Sequence, residues 1–176
     1  QMMSTKIINE ALDLGMNFID LYSSNPVTRK NIGNALASRR KEMIIQGHLC
    51  TIWSDGQYER TRDIEKTKES FEALLKDLNT DYIDIGMIHY IDEEKDFDEV
   101  FNGEIIEYAK CLKEKGIIKH IGISSHNPVV ASKAAKTGLI DVIMFSVNPC
   151  YDLLPASEDC DVLWDSNSYN KELINF

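Results

Sequence analysis

The feature that most constrains this chain is a fivefold alternation between helix-like and strand-like segments. Each unit begins with apolar residues at helical spacing and ends in a short run that is rich in β-branched and aromatic residues. The units run from KIINEALDL to MNFIDL, from NIGNALASR to EMIIQGHL, from the helix 64–78 to DYIDIGMIHY, from EIIEYAKCLKEK to KHIGISS, and from VVASKAAKT to DVIMFSV. This order is typical of an α/β protein with parallel strands.

Most of the strand runs are apolar on both faces, as in MIIQG, YIDIGMI and DVIMF, which predicts a sheet covered on both sides. A barrel and a doubly wound sheet both meet this condition. The first strands are not followed by G-x-G-x-x-G, the usual dinucleotide fingerprint of the doubly wound fold. The pattern therefore favours a (β/α)8 TIM barrel.

The number of strand runs bears on domain organisation. Closure of such a barrel takes eight strands in roughly 250 residues, whereas about five strands are visible in these 176 residues. We therefore interpret residues 1–176 as a single, partial barrel domain whose completion needs further strands. Residues 149–176 are rich in Asp, Ser and Asn and have no clear period, which predicts a long loop after the last visible strand.

Composition narrows the range of partners. A net charge of −10 repels nucleic acid and anionic lipid, and no apolar run approaches the length of a membrane span, so we expect neither as a partner. The start of the sequence does not resemble an export signal, and the cysteines form no C-x-x-C pair. We therefore predict a cytoplasmic protein with reduced cysteines at positions Cys50, Cys111, Cys150 and Cys160.

Polar residues follow or end each strand run, which is where a parallel barrel keeps its chemistry. For any single residue, the alternative is a helix cap or a loop hydrogen bond. Five strands that all end in this way favour a common site at the mouth of the barrel. The residues are Asp20, His48, His89, the pair Ser124 and Ser125, and Asn148.

The segments GMNFIDLY, NIGNAL, DYIDIGMIH and LKEKGIIKHIGISSHNP resemble the aldo/keto reductase family, in the family's order, over residues 5–150. The resemblance is greatest to bacterial members. Some of these carry a ferredoxin-like tail, to which any iron–sulfur cluster would belong and which this sequence does not contain. The resemblance implies NADP(H)-dependent reduction of a small-molecule carbonyl to an alcohol, by a tetrad of Asp, Tyr, Lys and His.

Two of the four tetrad positions match. Asp20 and His89 stand where the family has Asp and His, but Asn25 takes the tyrosine position and His48 the lysine position. A carboxamide such as that of Asn25 donates hydrogen bonds but releases no proton near neutral pH, whereas an imidazole such as that of His48 serves as acid or base. Tyr22 lies two residues after Asp20 and would face the mouth if the strand continued, or else pack on a loop.

The resemblance also implies a nicotinamide site. The family's Ser-Asn pair after the fifth strand corresponds here to Ser124 and Ser125, and its glutamine on the sixth strand corresponds to Met144. A hydroxyl replaces one hydrogen bond of a carboxamide but not both, and a thioether packs without donating. The expected cofactor is NADPH.

Three functions remain open at this stage. The first is a reductase in which His48 or Tyr22 donates the proton. The second is a nucleotide-binding or sensory barrel that has lost catalysis. The third is a metal site, because Asp20, His48 and His89 supply a ligand set common to iron(II) and zinc, although two histidines hydrogen-bonded to Asp20 without metal would use the same residues. The oligomeric state is not determined by the sequence.

Overall fold

A computed structural model describes residues 2–146 of the chain. Its main sheet has five strands, all parallel, in the order β1-β2-β5-β6-β7. A separate antiparallel pair, β3 and β4, lies between β2 and β5 in the sequence. The strands are β1 Phe18–Leu21, β2 Ile44–Leu49, β3 Thr51–Ser54, β4 Gln57–Arg60, β5 Ile83–Ile88, β6 Ile118–Ser125 and β7 Val142–Phe145.

Helices precede or connect the parallel strands, and the second to the sixth of them each bury several residues. In the third helix a stripe of Phe71, Leu74 and Leu78 is buried, as the helical spacing of these residues predicts. The helices are α1 Met2–Asp13, α2 Pro26–Leu36, α3 Ile64–Leu78, α4 Glu94–Phe101, α5 Glu104–Glu114 and α6 Pro128–Lys136, with a 3-10 turn at Arg40–Glu42. None of the helices in residues 2–146 is long and apolar enough to span a membrane.

The core lies between this helical layer and the central strands. Every residue of β5 is buried, and so is every residue of β2 after Ile44. Helices α2 and α3 cross closely at Gly33, where a Cβ atom would lie 2.7 Å from the backbone oxygen of Asp77. A side chain at this position would therefore force the two helices apart.

The other face of the sheet is more open. Phe18 on β1 and Met144 on β7, at the two edges of the sheet, are 50% and 39% exposed. The sheet curls as half of a parallel barrel, with helices on its convex side. This confirms the predicted α/β barrel class. The predicted loop 149–176 and Asn148 lie outside the described residues, and the single-domain interpretation stays a prediction.

The antiparallel pair β3–β4 is an addition that the alternating pattern did not predict. Asp55 and Gly56 form its two-residue turn with positive φ angles of 48° and 82°, as in the turn type that suits a tight hairpin. Trp53 and Tyr58 face each other across the pair. The Asp-Gly dipeptide between TIWS and QYER is a recognised hairpin signal, so the sequence does contain the information.

Candidate active site

Three side chains from three neighbouring strand positions form a continuous hydrogen-bonded chain. His48 Nε2 lies 2.9 Å from Asp20 Oδ1, and His48 Nδ1 lies 2.8 Å from His89 Nδ1. His48 is 1% exposed and His89 7% exposed, whereas the Asp20 side chain is 32% exposed. The chain therefore runs from a partly solvated carboxylate to a buried imidazole.

Strand register brings the two histidines together. His48 on β2 pairs with Met87 on β5. His89 lies two residues beyond Met87 and so projects from the same face of the sheet. The same alternation places Gln46 beside His48 on β2, where its Nε2 donates to Asp20 Oδ1 at 2.8 Å. Sequence reasoning missed Gln46, although its position two residues before His48 was the available signal.

The hydrogen bonds restrict where the protons lie. An ionised Asp20 can only accept, so the Nε2 of His48 carries a proton. The Nδ1–Nδ1 contact needs one N–H and one lone pair. Either neutral His48 accepts from the Nδ1–H of His89, or doubly protonated His48 donates to His89, whose proton then lies on Nε2. The two arrangements differ by one proton.

Burial and neighbouring charges set the ionisation of the two ends. Burial by itself would raise the pKa of Asp20, but the hydrogen bond and charge of His48, with the hydrogen bond from Gln46, outweigh it and keep that pKa below its usual value. Burial, followed by the charges of His48, Arg62 and Arg60, lowers the pKa of His89 to about 4. His89 is therefore neutral near pH 7.

An ion pair that is mostly shielded from solvent fixes the turn that carries His89. The guanidinium of Arg62 donates to the backbone carbonyls of His89 and Tyr90, at 3.0 and 2.7 Å. Its other edge holds the carboxylate of Asp96 through two hydrogen bonds of 2.6 and 2.7 Å. Helix α4, which carries Asp96, thereby positions the residue that ends β5.

Aromatic rings surround His89. The His89 ring makes edge-to-face contacts with Tyr90, at a centroid distance of 5.0 Å, and with Tyr58 of the hairpin, at 5.8 Å. Tyr22 contacts Tyr58 at 5.4 Å and is 50% exposed. Tyr22 thus joins the wall of the mouth, while the described hydrogen-bonded chain runs through Asp20, His48 and His89. Sequence reasoning missed Tyr58 because it missed the hairpin.

The residues predicted to hold a cofactor differ in their surroundings. Ser124 on β6 is buried, and its Oγ has no hydrogen-bond partner among the described residues. The Oγ of Ser125, at the end of β6, instead donates at 2.7 Å to the carbonyl of Ile91, which lies in the loop after β5. Met144 is half-exposed, and its sulfur accepts from Gln46 at 3.4 Å. Ser124 and Met144 thus lie beside the hydrogen-bonded chain of Asp20, His48 and His89.

Asn25 has a structural task. It is the N-cap of α2, and its Oδ1 accepts from the backbone N–H groups of Val27 and Thr28 at 2.9 and 3.1 Å. Capping of this kind is a common role of asparagine before Pro at the first helical position. The structure places Asn25 outside the hydrogen-bonded chain formed by Asp20, His48 and His89.

The geometry does not favour the metal site considered from the sequence. Within residues 2–146, no group of His, Cys, Asp and Glu side chains is arranged to hold a metal ion. The reason lies in His48, whose two ring nitrogens already face Asp20 and His89. Two nitrogens 2.8 Å apart are also closer than tetrahedral zinc bonds of about 2.0–2.1 Å would hold them. The geometry instead favours the other alternative, in which the two histidines form hydrogen bonds with Asp20 and with each other without a metal ion.

The lowered pKa of His89 predicts a loss of stability in mild acid. Since this pKa is about 4 in the folded protein and about 6.5 in the unfolded chain, the unfolded chain binds more protons between these pH values. The free energy of unfolding should therefore fall by about 2 kcal/mol between pH 7 and pH 5. Urea unfolding of the wild type and of His89→Asn at both pH values measures this contribution.

His120 supplies the control for that experiment, because it is exposed and lies near the amino end of β6. His120→Asn should retain the wild-type loss of stability, whereas His89→Asn should reduce it. Equal pH dependence in the wild type and His89→Asn would contradict the prediction. The pKa of Asp20, also lowered, adds a further loss in the same direction at still lower pH.

Comparisons with known proteins confirm the resemblance. The protein named uncharacterized oxidoreductase YqkF of Bacillus subtilis (strain 168) is 32% identical over 144 residues, 78% of this chain and 45% of that protein. Methylglyoxal reductase DkgA of Yersinia pestis is 27% identical over 140 residues, 77% of this chain and 45% of that protein.

A solved structure supports the same resemblance. The holo form of aldo-keto reductase AKR11C1 from Bacillus halodurans superposes with a TM-score of 0.67 and 29% identity, covering 81% of this chain and 48% of that one. The chain thus spans about half the length of the relatives it matches. Residues 3–162 match the model of the aldo/keto reductase family. Because this match covers most of the sequence, the chain belongs to the aldo/keto reductase family.

Proposed function

We propose that the full-length protein is an oxidoreductase that reduces a small-molecule carbonyl to an alcohol with NADPH, and that the chain Asp20–His48–His89 supplies the proton. The observation that carries the proposal is the buried Nε2 of His89. It has no hydrogen-bond partner among the described residues and ends a continuous chain of hydrogen bonds. A substrate oxygen would give this atom the partner that a buried polar group requires.

The hydrogen-bonded chain Asp20–His48–His89 can deliver one proton to the substrate oxygen. With His48 doubly protonated, His89 carries its proton on Nε2 and donates a hydrogen bond to the substrate carbonyl. When the carbonyl oxygen becomes an alkoxide, the Nε2 proton transfers to it, and the Nδ1 proton of His48 moves to the Nδ1 of His89 across the 2.8 Å contact. His48 ends neutral, still donating from Nε2 to Asp20. Asp20 remains ionised throughout.

In this mechanism His48 replaces the tyrosine and lysine that the family keeps at positions 25 and 48. General acid catalysis by a positioned imidazole contributes about 10²–10⁴-fold to a rate. The low pKa of His89 suits it to pass a proton on rather than to hold one. Tyr22, the other candidate acid from the sequence, is half-exposed and contacts Tyr58, which supports a place in the substrate-binding wall.

The residues beside this chain partly fit a nicotinamide nucleotide, which supplies a hydride when bound. Ser124 would donate its unpartnered hydroxyl to the carboxamide group, and Met144 would pack against the ring. Ser125 contributes less than the sequence pattern predicts, because its hydroxyl already donates to Ile91. A cytoplasmic location, as proposed from the sequence, is compatible with the free thiols of Cys50 and Cys111.

The test uses the full-length protein in two steps. Fluorescence titration with NADPH and with NADH measures nucleotide binding, and consumption of the nucleotide with a panel of aldehydes and quinones measures reduction. We expect binding with turnover, and loss of turnover in His89→Ala. Nucleotide binding with turnover no faster than that of His89→Ala would instead support the sensory barrel that has lost catalysis. Absence of both would contradict the proposal.

A further inference from the structure

A second buried group has no assigned role. Arg29 on α2 is 2% exposed, and its Nε and Nη2 atoms have no hydrogen-bond partner among the described residues. Its remaining nitrogen, Nη1, donates to the backbone carbonyl of Ser70 at 3.2 Å. A buried guanidinium with two unused donors is costly, because its charge is removed from water without full compensation. Burial accordingly lowers the pKa of Arg29 to about 10.

The two unused atoms form one edge of the guanidinium. Two other arginines of the chain use this same Nε and Nη2 edge to hold a carboxylate by two hydrogen bonds: Arg39 holds Glu42 and Arg62 holds Asp96. The planar fork matches the two oxygens of a carboxylate. Arg29 thus presents the edge that binds a carboxylate elsewhere in the molecule, and residues 2–146 provide no hydrogen-bond partner for it.

Arg29 also lines a cavity of about 570 Å³ between α2, α3 and the hairpin. The cavity shares no lining residue with the chain Asp20–His48–His89. Trp53 and Lys66, both exposed, line it as well. Their exposure places them between solvent and the buried edge of Arg29. The volume is within the range of small-molecule sites, about 300–1,000 Å³.

The charged residues that line the cavity determine which anions it favours. Arg29 and Lys66 are positive, whereas Glu69 and Asp77 are negative. Asp77 forms an ion pair with Lys30 at 3.7 Å, and its charge also raises the pKa of Arg29, but by less than burial lowers it. A lining of balanced charge favours a single negative charge over the two of a phosphate, because each added charge also meets Glu69 and Asp77.

We propose that this cavity is a second ligand site, which binds a small monocarboxylate through the Nε and Nη2 edge of Arg29 with Lys66 as an additional cation. The site is separate from the mouth of the barrel, so its occupation does not depend on the proposed reductase activity. The aromatic ring of Trp53 places a fluorescent reporter in its wall.

The experiment titrates the full-length protein with sodium acetate while sodium chloride keeps the ionic strength constant, and it records tryptophan fluorescence. We expect a saturable change in the wild type. Arg29→Met should weaken acetate binding at least tenfold, and Arg29→Lys nearly as much, because an ammonium lacks the two-point edge. Lys66→Gln should weaken it a few-fold. Arg29→Met should also fold, since it removes an uncompensated buried charge.

Two controls make the result specific. Arg39→Met removes an arginine whose edge is already occupied and should leave acetate binding unchanged. Trp53→Phe should abolish the fluorescence change, while acetate should still raise the melting temperature in this variant. The proposal is overturned by a change that does not saturate, by wild-type affinity in Arg29→Met, or by tighter binding of inorganic phosphate than of acetate.

Discussion

His48→Gln lowers kcat for carbonyl reduction by about 10²–10⁴-fold, which is the usual contribution of a general acid. Glutamine keeps hydrogen-bonding capacity next to Asp20 and His89 but cannot pass a proton from one side to the other. The rate of a single turnover, measured in the full-length protein with saturating NADPH, tests this expectation. The dissociation constant for NADPH should change little, because His48 is buried behind His89.

His48→Lys separates two explanations of this result. A lysine restores a positive charge beside Asp20, but all of its donors lie on one nitrogen, whereas the imidazole reaches Asp20 and His89 from two nitrogens on different sides of its ring. If transfer through both ring nitrogens of His48 is what matters, and not the positive charge alone, His48→Lys is as slow as His48→Gln. His120→Gln, at the exposed amino end of β6, should keep wild-type kcat. Wild-type kcat in His48→Gln would refute the relay.

Asp96→Ala is expected to lower the free energy of unfolding by about 3 kcal/mol, the lower end of the range for removing one partner of a buried ion pair, because the pair is not fully buried. The Asp96 carboxylate is 11% exposed and holds both Arg60 and Arg62. Without it, the buried guanidinium of Arg62 keeps its charge and loses its anion. Urea unfolding at pH 7 measures the change.

Asp98→Ala on the same helix is the matched control. Asp98 pairs with Lys133, but its side chain is 60% exposed, so we expect a change within about 1 kcal/mol. Equal losses in Asp96→Ala and Asp98→Ala would contradict the prediction. Because Arg62 also holds the carbonyls of His89 and Tyr90, we expect Asp96→Ala to slow turnover even where it remains folded.

The regular part of the fold could be predicted because each unit repeats one physical pattern. The runs around β2 and β5 are apolar on both faces, and both strands are buried in the structure. The hairpin β3–β4 interrupts this pattern, and its strands are largely exposed, so hydrophobic periodicity does not detect them. Helix α4 was missed as well, because it is short and strongly acidic.

The site could be predicted by residue type but not by contact. The sequence places Asp20, His48 and His89 at strand ends, and the structure brings all three together. Their hydrogen bonds depend on strand register, and a slip of one residue would turn His48 away from the others. The capping role of Asn25 could be predicted from the Asn-Pro dipeptide before a helix, although position alone suggested a tetrad member.

The hairpin has a consequence for how such a barrel diversifies. The backbone N–H of Thr61 donates to the carbonyl of Cys50 at 2.9 Å, so the two ends of the hairpin already meet at its base. Residues 51–60 therefore form a cassette that is closed at its base, and its two ends are also bonded outside it, Thr51 to Ser24 and Arg60 to Asp96. Its second strand, β4, carries Tyr58 against His89. Evolution or design can alter the mouth by changing Tyr58 and the exposed residues of this cassette, while Thr51 and Arg60 keep their bonds and the proton-handling residues stay on the strands.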